Sequence, residues 1–431
     1  MRLPVNPREL AGKVLTSKGF RDAVLVYFAY CFRFISPLLL YPLLTRRLGV
    51  DGFSVYATAY SIALLTSIVV EYGFNLSGTR DIATAADDEQ RGQIVGRISL
   101  AKALLCLPAV VIGFALGATN PVVGGDPAVT LASIAIGCAL GLSAFWYFQG
   151  MRRIFLAVSL EVSGQVIGLI STFLLVQHPK DTILALSIQA GAIAITSLGG
   201  VFIMLRQYPD RAKSNVREAM DALVTGFPIF ISRSAVVIYG TAGVFVLGLT
   251  SSATHAAWYG AAERIIAPAA ALLRPMSTIL LPRLSAQASE DPRKAARTAG
   301  LICAATGALY LFGALIVCLG APILFKVIFG AGFAGGAPVL AVLAFVMPAA
   351  ALNTIIVNQL MVALRLDKKI AQVVLAGAAV SLASAFVLSH SFGGVGMAAS
   401  RLLSELFIFG FAAFLSWRHL GSNRSVTSAT R

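Results

Sequence analysis

Apolar residues run along this chain in blocks too long for the core of a soluble domain, and short polar turns separate the blocks. A membrane-spanning helix needs about 20 apolar residues. At that length the pattern predicts twelve spans: 22–44, 53–77, 94–118, 128–149, 154–177, 182–206, 221–249, 256–282, 297–320, 335–363, 370–390 and 393–417. The turns leave no room for an extramembrane domain. The long polar break YPDRAKSNVREAMD divides the spans into two sets of six. The expected organisation is therefore an N-terminal segment 1–21, a six-helix bundle 22–206, a linker 207–220, a second six-helix bundle 221–417 and a tail 418–431. Within the first segment, residues 8–18 read as a short amphipathic helix on the membrane surface. The predicted fold class is an all-α polytopic membrane protein.

Composition agrees with this reading. The chain of 431 residues is 58% hydrophobic and 12% charged, whereas a soluble domain carries about 25% charged residues. The net charge of +15 raises nucleic-acid binding as a function. That function needs a basic face on a soluble domain, and no segment is long and polar enough to build one. Sidedness accounts for the charge instead. With the N-terminus inside, twenty-four Lys and Arg residues fall in inner segments. Four (Arg46, Arg47, Lys180 and Lys326) fall outside, and six lie within spans. Positive residues concentrate on the cytoplasmic side, so both termini are expected there. The run after residue 21 is long enough to span and reads as an uncleaved first helix.

The two halves resemble each other. VYATAYSI at 55–62 resembles WYGAAERI at 258–265, pairing Tyr56 with Tyr259; at the same offset Arg80 pairs with Arg283. Arg33 and Arg233 occupy similar mid-span positions in the first helix of each half. Six spans repeated with unchanged orientation imply parallel repeats about an axis along the membrane normal, and such transporters bind substrate near the midplane between repeats. Prolines inside spans (Pro37, Pro42, Pro108, Pro228, Pro268, Pro275, Pro338 and Pro348) suit kinked, gating helices, or reflect the ordinary tolerance of proline in membrane helices.

Charges within apolar runs are costly and mark function by default. The basic ones are Arg33, Lys102, Arg233, Arg264, Arg274 and Arg401; the acidic ones are Glu71, Glu161, Glu263 and Glu405. Arg401 and Glu405 have the i, i+4 spacing of a helical pair, and Glu71 and Lys102 lie at similar depth on consecutive helices and are expected to pair. Arg33, Arg233, Arg264 and Arg274 then remain in surplus. Guanidinium forks suit phosphate, so these four are the candidate substrate-binding residues of a cationic cavity for an anionic, phosphate-bearing cargo. The competing reading is that each arginine snorkels or bonds backbone carbonyls. Glu71 and Glu263 are candidate ion-coupling carboxylates. The five cysteines fall in apolar runs without metal-ligand spacing, and His178, His255, His390 and His419 read as ordinary turn and tail residues. No metal site, catalytic constellation, phosphate-binding loop or cofactor is expected. Energy would come from a partner ATPase, an H+ or Na+ gradient or the membrane potential.

The stretch LLYPLLTRRLGVDGFSVYATAYSIALL, followed by EYGFNLSGTRDIA, resembles the opening of the Wzx-type polysaccharide flippases, within the superfamily that also holds the MATE multidrug exporters and the lipid II flippases. YGAAERI at 259–265 resembles the corresponding part of the second half. The resemblance implies a MATE-like inner-membrane protein that moves an undecaprenyl-pyrophosphate-linked oligosaccharide to the periplasmic leaflet by alternating access. It also implies a polysaccharide polymerase and a chain-length regulator as candidate partners. Two alternatives stay open at this point: a small-molecule exporter of the same fold, and a membrane glycan polymerase or ligase, against which the short outer turns argue.

Overall fold

The computed structural model describes the backbone over residues 18–208, 214–271 and 274–428. It describes side chains at residue 32 and over 35–208, 214–268 and 280–421. The surface helix expected at 8–18 falls, but for its last residue, outside the described residues, as does the centre of the linker 207–220.

The described chain is helical nearly throughout. In order come α1 (Lys18–Glu71), α2 (Phe74–Thr84), α3 (Asp88–Thr119), α4 (Pro127–Leu142), α5 (Phe145–Gly150), α6 (Ile154–Leu175), α7 (Thr182–Arg206), α8 (Val216–Thr241), α9 (Gly243–Thr250), α10 (Ala253–Ala271), α11 (Arg274–Glu290), α12 (Pro292–Phe329), α13 (Ala337–Ala344), α14 (Val346–Ile355) and α15 (Asp367–Ser428). Nine stretches of the described residues are long and apolar enough to cross a membrane. Two of these are double. α1 folds back at Gly49 (φ 68°) and α15 at Gly393 (φ 56°). A positive φ costs any residue with a Cβ, so glycine supplies both hairpins. α10 and α11 cover the described parts of the remaining expected span, 256–282.

Two spans differ from the sequence expectation. The seventh divides into α8 and α9, and the tenth into a 3-10 turn (Ala331–Gly336), α13, α14 and a π segment (Ile356–Met361). Proline explains the latter break. Pro338 sits in the first turn of α13, where its missing N–H is no loss. Pro348 cannot donate to the carbonyl four residues before it, and the helix is interrupted at Phe345. The sharp reversals, however, occur at glycine and not at the other span prolines.

Large apolar side chains such as Leu107, Phe312, Leu319 and Ile323 are exposed, which in a bilayer places them against lipid. The central core joins both halves: Tyr56 and Phe53 of α1 pack with Tyr259 of α10 and Phe325, Phe329 and Phe333. One end of the bundle carries Arg80, Arg152, Arg153 and Arg365, and the opposite end carries the Gly49 and Gly393 turns. That opposite end is stitched across the halves. Arg46 donates to the carbonyl of Val327 at the end of α12, while Arg47 donates to Phe173 and Val176 at the end of α6. Both cations thereby cap helix C-termini, where the dipole favours positive charge. Asn120 Nδ2 donates to the Phe245 carbonyl at 3.0 Å.

Candidate functional site

A cavity of about 500 Å³ lies inside the bundle. Exposed Leu76, Gln149 and Arg233 rim it, and buried Tyr41, Tyr56 and Gln189 form its depth. Because Leu76 and Gln149 belong to the basic end, the cavity opens there and closes toward the glycine hairpins.

The closed side is built by an aromatic ladder. Phe53, Tyr56 and Tyr60 recur every third or fourth residue, which places them on one helix face. Tyr56 stacks on Tyr60 (centroids 6.2 Å apart) and Phe53 (6.3 Å), Tyr41 meets Phe53 edge-on at 5.7 Å, and Phe53 meets Phe333 of the other half at 5.6 Å. Arg264 rests on this ladder. Its guanidinium carbon is 4.4 Å from the Tyr41 ring centroid and 5.5 Å from that of Tyr60. Cation–π attraction of this kind is worth about 2 kcal/mol when desolvated. A ring contact is not a hydrogen bond, so the guanidinium N–H donors still require oxyanion or other acceptors. Among the described residues no carboxylate lies within ion-pairing distance of Arg264, and Arg233 has neither an ion pair nor a hydrogen bond.

The structure places the candidate residues as follows. Arg233 and Arg264 both line the cavity. The side chains of Arg33 and Arg274 lie outside the described residues. Glu263, next to Arg264, interacts electrostatically with Arg264 and Arg401 and is not a lining residue. Glu71 ends α1 at the break through Tyr72 (φ 50°) and Gly73 (φ 79°) and is not among the lining residues. Its Oε1 is buried without a hydrogen-bond partner.

One expected pairing forms and one does not. Arg401 and Glu405 make an ion pair at 3.2 Å. The Glu405 carboxylate also accepts from Asn353 Nδ2 at 2.7 Å and from the Tyr239 hydroxyl at 3.3 Å. Lys102 makes no direct ion pair with Glu71, although the two charges interact at longer range. Its ammonium donates to the carbonyls of Gly141 at 2.9 Å and Ser143 at 3.0 Å. These carbonyls close the end of α4, and the frayed helix terminus supplies acceptors that span spacing could not reveal.

Sequence reasoning missed the ladder and the uncharged polar lining, which includes Ser36, Asn75, Ser143, Gln149, Gln165, Gln189, Thr196 and Ser197. A signal existed. Gln189, Thr196 and Ser197 share one face of α7 at i, i+7 and i+8, and Glu161 and Gln165 share one face of α6 at i, i+4. Attention to charge alone passed over neutral amides in apolar runs.

Comparison with known proteins places this architecture. The chain is 25% identical over 380 residues, 87% of its own length and 91% of the relative's, to a protein of Escherichia coli (strain K12) described as a candidate O-antigen transporter. Its fold is similar to that of the lipid II flippase MurJ in an inward closed conformation. That match has a TM-score of 0.70 at 14% identity and covers 91% of this chain and 87% of that one. It is also similar to an inward-facing multidrug resistance MATE transporter of the MOP superfamily, with a TM-score of 0.69 at 12% identity over 91% and 96% of the two chains. These likenesses establish an all-α, MATE-like membrane fold. A family model described as polysaccharide biosynthesis protein matches residues 20–287, well over half of the chain, and the chain belongs to that family.

Proposed function

We propose that this chain is a flippase, not an enzyme. It carries a polyprenyl-pyrophosphate-linked oligosaccharide from the cytoplasmic to the periplasmic leaflet of the inner membrane by alternating access. The observation that carries this reading is the pair Arg233 and Arg264 in a polar cavity, with no carboxylate within ion-pairing distance of either among the described residues. Arg233 at the cavity rim and Arg264 in its depth, neither in a direct ion pair, are stabilised by an anion between them, and a pyrophosphate offers the oxygen pairs their forks bind. The relatives described as O-antigen transporters and the lipid II flippase fold support the same cargo class. Two arginines against the one lining carboxylate, Glu161, leave the described cavity net cationic, which weighs against the exporter reading.

In this picture the basic end faces the cytoplasm, following the excess of inner Lys and Arg, and both termini are cytoplasmic. Residues 22–206 and 221–417 rock against each other about the central aromatic core. Movement draws on an H+ or Na+ gradient or the membrane potential, with Glu71 and Glu263 as coupling carboxylates. A polymerase and chain-length regulator receive the product. Arg33 and Arg274 complete the cationic set.

The test is complementation of a strain lacking its own flippase. Arg233→Ala and Arg264→Ala should each abolish surface polysaccharide at normal protein level, and Arg264→Lys should recover only part, because an ammonium lacks the fork. Wild-type polysaccharide from both alanine variants overturns the assignment.

A further inference from the structure

The two halves contribute unequally to the cavity. Among the described residues, the second half supplies Arg233 and Arg264 and nothing else. The neutral polar groups all come from the first half, among them the α2 residue Asn75, Ser143 between α4 and α5, Gln149 of α5, Gln165 of α6, and Gln189, Thr196 and Ser197 of α7.

This neutral wall has unmet hydrogen-bonding capacity. Asn75 Oδ1 and Gln165 Oε1 are buried and have no partner. In an apolar surround an orphan amide is unfavourable, and native structures leave few such groups unexplained. The wall is also held close by small residues. A Cβ on Gly168 would come within 3.0 Å of the Gln189 amide, and one on Gly164 within 2.8 Å of Thr196 Oγ1. α6 and α7 can thus bring their amides together only because these positions are glycine.

The chemistry of the wall differs from that of the arginines. An ionised phosphate only accepts hydrogen bonds, so donors alone satisfy it. A carboxamide offers both a donor and an acceptor, which is what a sugar hydroxyl requires. From Gln189 to Thr196 the wall runs seven residues of α7, about 10 Å of helix, enough to follow more than one pyranose ring.

Resting on the flippase reading above, we propose that Asn75, Gln165 and Gln189 form the glycan subsite. Selection for the sugars next to the pyrophosphate then resides in the first half of the chain, and charge recognition in the arginines of the second.

The experiment measures binding of two probes to the purified full-length protein in nanodiscs. One is undecaprenyl pyrophosphate without sugar; the other is undecaprenyl-pyrophosphate-linked N-acetylglucosamine. Asn75→Leu and Gln165→Met keep side-chain volume and remove the amide. The wild type should bind the glycosylated probe more tightly. Each amide variant should lose about tenfold on that probe while bare-lipid binding stays unchanged, which also certifies the fold. Arg264→Ala should weaken both probes alike. Equal binding of the two probes by the wild type overturns the subsite. So does a sugar increment that survives in both amide variants, or an equal loss on both probes. If instead Arg264→Ala leaves bare-lipid binding intact, the pyrophosphate reading fails, separately from the subsite.

Discussion

Replacing Glu405 by alanine isolates what the buried network in the second half contributes. The Glu405 side chain is 3% exposed and that of Arg401 18% exposed, and their charged groups are 3.2 Å apart. Removing the carboxylate strands the guanidinium. It also removes the acceptor that Asn353 and Tyr239 use. Losing one partner of a buried pair costs about 3–5 kcal/mol, because the other charge stays desolvated. Two features of Arg401 move the expectation to the lower end, about 3 kcal/mol. It also donates to the Tyr239 carbonyl, and it rests 4.3 Å from the Tyr239 ring centroid, so the cation keeps some stabilisation. The double replacement Arg401→Met with Glu405→Leu removes both charges at similar volume and should be much milder, since paired removal is often neutral. The assay is equilibrium unfolding in mixed micelles, run as a double-mutant cycle on the full chain. A cost below about 1 kcal/mol for Glu405→Ala, or additive single and double effects, would refute the assignment of this network as a buried, mutually dependent pair.

Three further outcomes follow from the geometry. Gly49→Ala meets open space at φ 68°, ψ −172°, so it should cost only the backbone term of about 1–3 kcal/mol. Gly393→Ala adds a collision with the His255 ring and should cost more in the same equilibrium unfolding assay; equal costs would contradict the packing at the α15 hairpin. A Cβ on Gly248 would lie 2.6 Å from Asn120 Oδ1. Asn120→Cys with Gly248→Cys, in a background without the native cysteines, should therefore cross-link under oxidant and stop transport until reduced. Failure to cross-link would deny the contact between halves, and transport by the cross-linked protein would deny that this end opens. Finally, the Asp181 carboxylate accepts from the backbone N–H groups of His178 and Gln177, which hold its pKa below the ordinary aspartate value. A depressed pKa means that the carboxylate steadies this turn at neutral pH, and that the effect is lost as pH falls through the folded value. Hydrogen exchange of those two amides, corrected for intrinsic rate, should accelerate between about pH 5 and pH 2; Asp181→Asn should show no such pH step.

Much of the site was open to reading by charge. Arg233 and Arg264 stood out because a cation in an apolar run has few innocent explanations, and both line the cavity. Arg401 and Glu405 were legible as a pair because their partnership is local, set by helix periodicity alone. The direct partners of Lys102 were missed for the opposite reason. They are backbone carbonyls of Gly141 and Ser143, and a backbone acceptor carries no residue-type signal. Asn75 and Gln165 passed unnoticed because a neutral amide in a span has many roles, and only the cavity shows which polar groups converge.

The sequence by itself determined the membrane class and the number and rough bounds of the spans, and it supplied the charge bias from which the proposed sidedness is read. Each of these follows from local quantities: apolar length against bilayer thickness, and the distribution of Lys and Arg between turns. Gly49 and Gly393 likewise announce turns that only glycine adopts freely. The tertiary structure alone decided which helix faces meet. It stacked Arg264 of the second half on Tyr41 and Tyr60 of the first, and it gathered the amides of α2, α6 and α7 on one wall. It also closed the glycine-hairpin end while leaving the basic end open. In a bilayer, lipid is as apolar as the helix surface, so hydrophobicity does not choose between faces. Close packing and polar satisfaction make that choice, and both depend on residues far apart in the chain.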